Sequence, residues 1–380
     1  MKRSLHNFIN TMESFDDLPT FDLDSIRLGK LLGQGGFASV FSFHLRKQEK
    51  KESISFDLSG TSSKQLRSSY VSTTATDISG SIDCSSIFSD SSDEASLEDE
   101  EALEDQVKEE HSELQELALK TLHDGSLSDR KKRDRAAKDL RNEVCLLTDV
   151  GPHPHIIELH GISDDFWRDS DSAFIVMEKL QEPLDRAIRR WKGEVTGRSL
   201  SLRPRKNMNR SAQALRIQKA AVGIASALQH LHNEDTVFRD LKPANCGFDQ
   251  AGNIKLFDFA CARYLTPGTR MQQRTGTLRY MSGECARKEF YDLSTDIHSF
   301  AMFLFELLAL EKPYGKITDR RQLNRLICSE EKRPSLNRVC ASGMRDLISK
   351  CWSTEPQKRP DFDYILECLN TEVEKNLSQR

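Results

Sequence analysis

Residues 26 to 45, IRLGKLLGQGGFASVFSFHL, set short apolar runs on either side of a glycine-rich turn, a pattern that predicts two strands of a hairpin. ELQELALKTL, residues 113 to 122, has the same strand character. The next stretch, LSDRKKRDRAAKDLRNEVCLL, places Leu140, Glu143, Val144 and Leu147 at helical spacing, which predicts a helix with a basic outer face ending before GPHP. DSAFIVMEKL predicts a further strand, and QALRIQKAAVGIASALQHLHNE a long amphipathic helix. From Asp292 onward the period is helical, with breaks at EKPYG, KRPS and EPQKRP. A small, mostly β portion is therefore followed by a larger, mostly α portion, an α+β class.

Two segments depart from this pattern. Residues 53 to 96 are dominated by Ser and Thr and run into SLEDEEALEDQVKEEHSE; such a stretch cannot bury a core, and 47–112 reads as a disordered insert. Strand-like flanks on both sides mean that it interrupts one sheet instead of joining two domains. A second insert, polar and basic, covers 189–211 and includes RRWKGEVTGRSLSLRPRKNM.

Composition narrows the function classes. A length of 380 residues with 37% hydrophobic content is enough for a core, and a net charge of −4 argues for neither nucleic-acid binding nor a membrane surface. Nine scattered cysteines without a C-x-x-C pair fit free thiols in a reduced compartment. No apolar run is long enough for a signal peptide or a span, so an intracellular location, cytoplasmic or nuclear, is expected, without membrane insertion.

Three motifs carry chemistry. GQGGFASV lies in a hairpin, not at a strand-to-helix turn, so it is no Rossmann loop; Gly33 and Gly35 would let backbone N–H groups approach phosphates, although a plain tight turn uses glycine equally well. In ELALKTL, Lys120 sits in an apolar strand, where an ammonium needs an anionic partner such as a phosphate or Glu143, unless the strand is an edge and the lysine reaches solvent. FRDLKPAN places Asp240 five residues before Asn245, and Asp258 follows in LFDFACAR; oxygen donors of this kind suit Mg²⁺, while a carboxylate off the metal can orient a hydroxyl. Each Asp taken alone is more often a turn or cap residue. Their joint occurrence in this order favours chemistry.

Taken together, GQGGFASV, LALK, Glu143, HPHII, FIVMEKL, FRDLKPAN, DFA, GTLRYMSGE, STDIHSFAMFLFELL and CWSTEPQKRP resemble the ordered motifs of a eukaryotic protein kinase of the serine/threonine type, leaning towards the tyrosine-kinase-like group. The resemblance implies a two-lobed kinase fold: an N-terminal tail 1–20, a kinase domain 21–371 with a β-rich N-lobe 21–178 and a helical C-lobe 179–371, and a C-terminal tail 372–380. It also implies ATP and Mg²⁺ as cofactors and protein substrates. Lys120 would hold phosphates and pair with Glu143, Asn245 and Asp258 would hold the metal, Asp240 would position the substrate hydroxyl, and Lys242 would neutralise the moving phosphoryl group. Gly33, Gln34, Gly35, Gly36, Val40, Ala118, Met177, Glu178 and Leu180 would line the ATP site, with Met177 as gatekeeper. Thr277 would brace Asp240 and Lys242, and Glu284 would pair with Arg359. Arg239 would meet a phosphate placed on the activation segment by an upstream kinase, at Thr275 first, or at Thr269 or Thr266.

The departures from the family pattern are Phe238 for the usual His, Ala260 for Gly, Ser282-Gly283 for Ala-Pro, and Ala38 for the third loop glycine. None removes a charged or metal-binding group. Phe238 should keep the packing of the residue it replaces, against Phe259 and with Leu147 in the same apolar column. Gly247 stands where an apolar residue usually lies under the adenine, and Phe248 should point the other way. An alternative reading of the same departures is a pseudokinase scaffold that binds nucleotide and recruits partners through its insert.

Overall fold

The computed structural model describes residues 18–34, 38–45, 117–122, 130–168, 172–197 and 206–378. The insert expected over 47–112 lies outside the described residues, as do Gly35 and Gly36.

The first half of the chain builds a six-stranded sheet from β1 (Thr20–Phe21), β2 (Ile26–Gln34), β3 (Ala38–Leu45), β4 (Leu117–Leu122), β5 (Leu159–Ser163) and β6 (Phe174–Glu178), in the order β1-β5-β6-β4-β3-β2. Only β1 and β5 run parallel; the other neighbours are antiparallel. The segments before and after the insert, β3 and β4, pair directly, with Val40 opposite Lys120, so the insertion leaves the sheet continuous.

Strand alternation divides that sheet into two faces. On one, Phe43, Leu119, Phe174 and Val176 form a small apolar cluster with Ile26. The other carries Ala118, Leu122, Ile175 and Met177 into the main core, where α1 (Arg130–Val150) covers them with Ala136, Ala137, Leu140, Val144 and Leu147. Lys120 shares the Ala118 face and therefore points at the helix and at the cleft below it.

The second half is mostly helical. After β7 (Glu182–Pro183) come α2 (Leu184–Gly197), α3 (Lys206–Arg216), a single π turn (Ile217–Ala221) and α4 (Val222–Asn233). The basic segment expected as an insert is thus helical at both ends, where it prolongs α2 and opens α3. Strands β8 (Thr236–Val237), β9 (Cys246–Phe248), β10 (Ile254–Leu256) and β11 (Arg263–Tyr264) form two short ladders, β10-β9-β7 and β11-β8.

Helices α5 (Gly283–Arg287), α6 (Ser294–Ala309), α7 (Arg320–Cys328), α8 (Ser342–Cys351) and α9 (Phe362–Leu377) complete the fold. Every residue of α6 after Ser294 is buried, which is what an all-round apolar helix predicts. The ion pair Arg359–Glu284 lies beside it: both guanidinium nitrogens reach the carboxylate, at 2.6 and 3.0 Å. Helix α9 runs past residue 371, where a tail was expected, because Glu372 and Asn376 are buried and Arg210 of α3 holds Glu372 at 3.0 Å.

Two lobes result, one a sheet with α1 and one helical, joined after β6. None of the described helices is long and apolar enough to cross a membrane. The eight described cysteines are free thiols, and Cys84 lies outside the described residues.

Candidate active site

The site is assembled from the inner face of the sheet, α1, and the loops around β8, β9 and β10. Strand β4 delivers Lys120, whose ammonium meets Glu143 of α1 at 2.6 Å and Asp258 at 3.1 Å. Burial works against the charge on Lys120, yet Asp258 and Glu143 outweigh it and hold its pKa above the ordinary lysine value. The same ammonium keeps the Asp258 carboxyl below its ordinary range despite burial. Its side chain is 39% exposed, so a carboxylate face remains open to the cleft. Asp258 takes a left-handed backbone (φ 68°, ψ 68°), which aims it back at Lys120 while Phe259 turns beneath α1. The Phe259 N–H then donates to Glu143 at 3.4 Å, tying the triplet to the helix.

Asp240 is the second centre. One carboxylate oxygen accepts from the Lys242 ammonium at 2.6 Å and the other from the Thr277 N–H at 2.7 Å. The Lys242 ammonium also donates to the Thr277 hydroxyl at 3.1 Å. Asn245 donates its amide N–H to the Asp240 carbonyl at 3.0 Å and to the carboxylate at 3.3 Å. That arrangement turns the Asn245 amide oxygen away from Asp240. The Phe257 N–H donates to the Asn245 carbonyl at 3.0 Å and so sets Asp258 beside Asn245. Two hard oxygen donors on adjacent backbones fit a Mg²⁺ ion, which takes few protein ligands; among the described residues no group of three His, Cys, Asp or Glu side chains is placed to hold a metal ion.

The expected nucleotide-lining residues divide. Ala118 and Met177 are opposite one another across β4 and β6, and Val40 is opposite Lys120, so these side chains share one face. Gly33 pairs with Val40 and Gln34 with Ser39 on the hairpin above. The Glu178 side chain does not face the cleft: it accepts from the Lys255 ammonium at 2.9 Å, and the Glu178 N–H donates to Glu158. Only its carbonyl and the Leu180 backbone remain for a base edge.

Arg239 is buried, with positive φ (71°), and its guanidinium is held by the Cys261 carbonyl at 2.7 Å and the Tyr291 hydroxyl at 3.3 Å. Thr275 and Thr269 are not hydrogen-bonded to it among the described residues. The Thr269 hydroxyl instead donates to the Thr266 carbonyl at 2.6 Å.

Three functional positions escaped the sequence reading. Asp296 at the start of α6 is fully buried and accepts the N–H groups of Phe238 and Arg239, at 2.7 and 2.8 Å, so it holds the loop that carries Asp240. An acid in the first turn of a helix with a long apolar run, FAMFLFELLA, was the available signal. Gly276 has φ +102°, and a Cβ there would collide with the Arg239 carbonyl; the close approach places Thr277 against Asp240. Phe257 lies within 3.4 Å of where a Gly247 Cβ would stand, and Leu180 within 3.0 Å. The space left by Gly247 is thus approached from both sides. Phe248 turns the other way, with its ring centroid 6.4 Å from that of Trp191.

Comparison with known proteins places this geometry. The protein kinase domain profile matches residues 106–370. A probable serine/threonine-protein kinase of Dictyostelium discoideum is 29% identical over 254 residues, 67% of this chain and 14% of that protein. The serine/threonine-protein kinase STY17 of Arabidopsis thaliana is 34% identical over 152 residues, 40% of this chain and 26% of its own length. The serine/threonine/tyrosine-protein kinase HT1 of the same plant is 29% identical over 153 residues, 40% of this chain and 39% of its own. The matched stretch spans well under two thirds of each of these relatives.

Proposed function

The chain belongs to the protein kinase family, and from that premise we propose that it transfers the γ-phosphate of ATP to Ser or Thr hydroxyls of protein substrates. The acceptor oxygen bonds to the γ-phosphorus, the bond from that phosphorus to the bridging oxygen of ADP breaks, and the hydroxyl proton passes to Asp240. The observation that carries this reading is Asp240 itself, whose carboxylate is held at once by Lys242, Thr277 and Asn245.

Each neighbour has a part. Lys242 reaches both Asp240 and Thr277, so its charge lies where the transferring phosphoryl group gains negative charge. Lys120, braced by Glu143, supplies the charge for the α- and β-phosphates. Asn245 and Asp258 would hold Mg²⁺, which when bound supplies neutralisation of the phosphate charge. Val40, Ala118 and Met177 would enclose the base, and the glycine-rich hairpin, with Gly33 and Gln34, would close over the phosphates. An upstream kinase that phosphorylated Thr275 or Thr269 would have to draw Arg239 from its present partners, the Cys261 carbonyl and the Tyr291 hydroxyl. No observation favours the scaffold reading.

Transfer of radiolabelled phosphate to a generic protein substrate, with the wild type set beside Asp240→Asn, tests the proposal. Activity lost in the mutant is expected. Wild-type transfer no greater than that of the mutant would overturn it.

A further inference from the structure

Beside the catalytic loop lies a pocket of about 480 Å³ that the phosphoryl-transfer reading does not use. It opens at Gly276 and Thr277, and Thr277 is the residue whose N–H and hydroxyl contact Asp240 and Lys242, so the pocket adjoins the point where an acceptor hydroxyl would sit. Leu278, Met281 and Leu323 give it an apolar floor. Four cations surround that floor: Arg274, Arg279, Lys312 and Arg320.

The cations have different duties. Arg279 donates to the carbonyls of Pro313, Tyr314 and Ile317, which fixes the wall. Arg274 is oriented by a neutral partner, the Asn324 amide oxygen, at 2.9 Å. Lys312 and Arg320 are exposed and have no ion pair among the described residues. The nearby acids lie outside the pocket lining and have partners of their own. Glu306 is buried and accepts the Tyr280 hydroxyl at 2.6 Å, and Asp319 caps α7 by accepting the Gln322 N–H. In a chain of net charge −4, four cations around a cavity with no Asp or Glu in its described lining run against the general balance.

We propose that this pocket binds an anionic side chain of the protein substrate, a carboxylate or a phosphate, a few residues from the acceptor Ser or Thr, so that the kinase prefers acidic or already phosphorylated sites. The inference rests on the kinase reading above. Apolar floor contacts would carry the stem of the side chain, and Arg274, Lys312 and Arg320 would meet its charged end. Exclusion works in the same way: a basic flanking residue would face like charge in a partly enclosed site.

The test uses the full chain and a set of fluorescent peptides with one serine each, in which a neighbouring position is scanned with glutamate, phosphoserine, alanine or lysine. Both kcat/KM and binding by anisotropy are measured. At one or more positions, the anionic peptides are expected to exceed the alanine peptide by about tenfold, the scale of one charge-assisted hydrogen bond, with lysine below alanine. Phosphoserine well above glutamate would identify prior phosphorylation as the source of the anion; equality would identify acidic sequence. The double variant K312E/R320E should abolish or invert the preference, read within each enzyme as the ratio of the anionic peptide to the alanine peptide.

A flat profile, or a preference that survives charge reversal, overturns the proposal while leaving the kinase reading intact. If no peptide is phosphorylated, the kinase reading fails, and the anisotropy series still decides whether the pocket selects anions.

Discussion

The ring of Phe238 stands edge-on to that of Phe259, with centroids 5.2 Å apart and planes at 76°, and both rings are fully buried. This is a favourable aromatic geometry. The residue before Arg239 therefore braces the residue after Asp258 by packing, while its N–H, held by Asp296, fixes the loop from behind. Phe238→Ala is expected to lower stability by about 3 to 5 kcal/mol and Phe238→Leu by less, because the smaller cavity can partly close. Urea unfolding of the two variants beside the wild type checks the order; equal stability of Phe238→Ala and wild type would remove the bracing role.

Ala260 lies in a short 3₁₀ turn and is not among the residues with positive φ; that conformation belongs to its neighbour Asp258. Alanine is thus compatible with the backbone it occupies. Ala260→Gly should cost about 0.4 to 1 kcal/mol by adding freedom to the unfolded chain. It should also increase amide hydrogen exchange over residues 258 to 262. Unchanged exchange there would show that Ala260 does not restrain the triplet.

A larger side chain at Gly247 would meet Leu180 at 3.0 Å, the Glu182 carbonyl at 3.3 Å and Phe257 at 3.4 Å. Gly247→Leu should therefore overpack the site at a cost of about 1 to 3 kcal/mol and weaken nucleotide binding. Adding Phe257→Ala should recover part of both losses, since the two residues compete for one space. Calorimetric titration with a non-hydrolysable ATP analogue measures this, and strict additivity of the two changes would deny the coupling.

Gly276→Ala places a methyl group against the Arg239 carbonyl at a backbone angle, φ +102°, that L-residues rarely adopt. Thr277 must then retreat from Asp240. A fall in kcat of at least about tenfold is expected, with a smaller change in the affinity for ATP, since the bond from Thr277 to Asp240 is on the substrate side. Loss of ATP binding with kcat preserved would contradict this assignment.

Acid should destabilise the fold in two overlapping windows. Burial would raise the Glu284 carboxyl, but the fork of Arg359 holds it at about 2 against an ordinary 4.5, so the stability of this pair is fully present above pH 4.5 and is lost as pH falls towards 2. Burial lowers the His298 imidazole from 6.5 to about 3, so the unfolded chain binds the proton first and stability declines as pH falls below 6.5. Urea midpoints taken from pH 7 to 4 should decline from about 6.5 downward. In His298→Phe the decline below pH 6.5 should be shallower, the remainder coming from His153, which burial lowers from 6.5 to about 4; a wild type equally stable at pH 7 and 5 would exclude the histidine contribution.

Much of this site was legible because the chemistry-bearing groups occur in short local patterns. Lys120 in an apolar strand, Glu143 at helical spacing, and Asp240 and Asn245 in one loop were readable from spacing and from the cost of burying a charge. The pairing of Lys120 with Glu143 is one of the alternatives that the residue types left open, and the edge contact of Phe238 with Phe259 falls where the resemblance implied it. Glu178 shows the limit: its residue type did not reveal that Lys255, 77 residues later, takes its carboxylate. The extent of α9 was hidden for a similar reason, since Arg210 anchors Glu372 from 162 positions away.

By itself the sequence determined which groups are present and which elements bear them, since periodicity and turn residues act over a few positions. Only the tertiary structure decided how distant groups share space. Asp296 grips the backbone of Phe238 and Arg239, Phe257 enters the room left by Gly247, and the Gly276 backbone rests on Arg239. Close packing and hydrogen bonding act on neighbours in space, and a linear chain does not say which residues those will be.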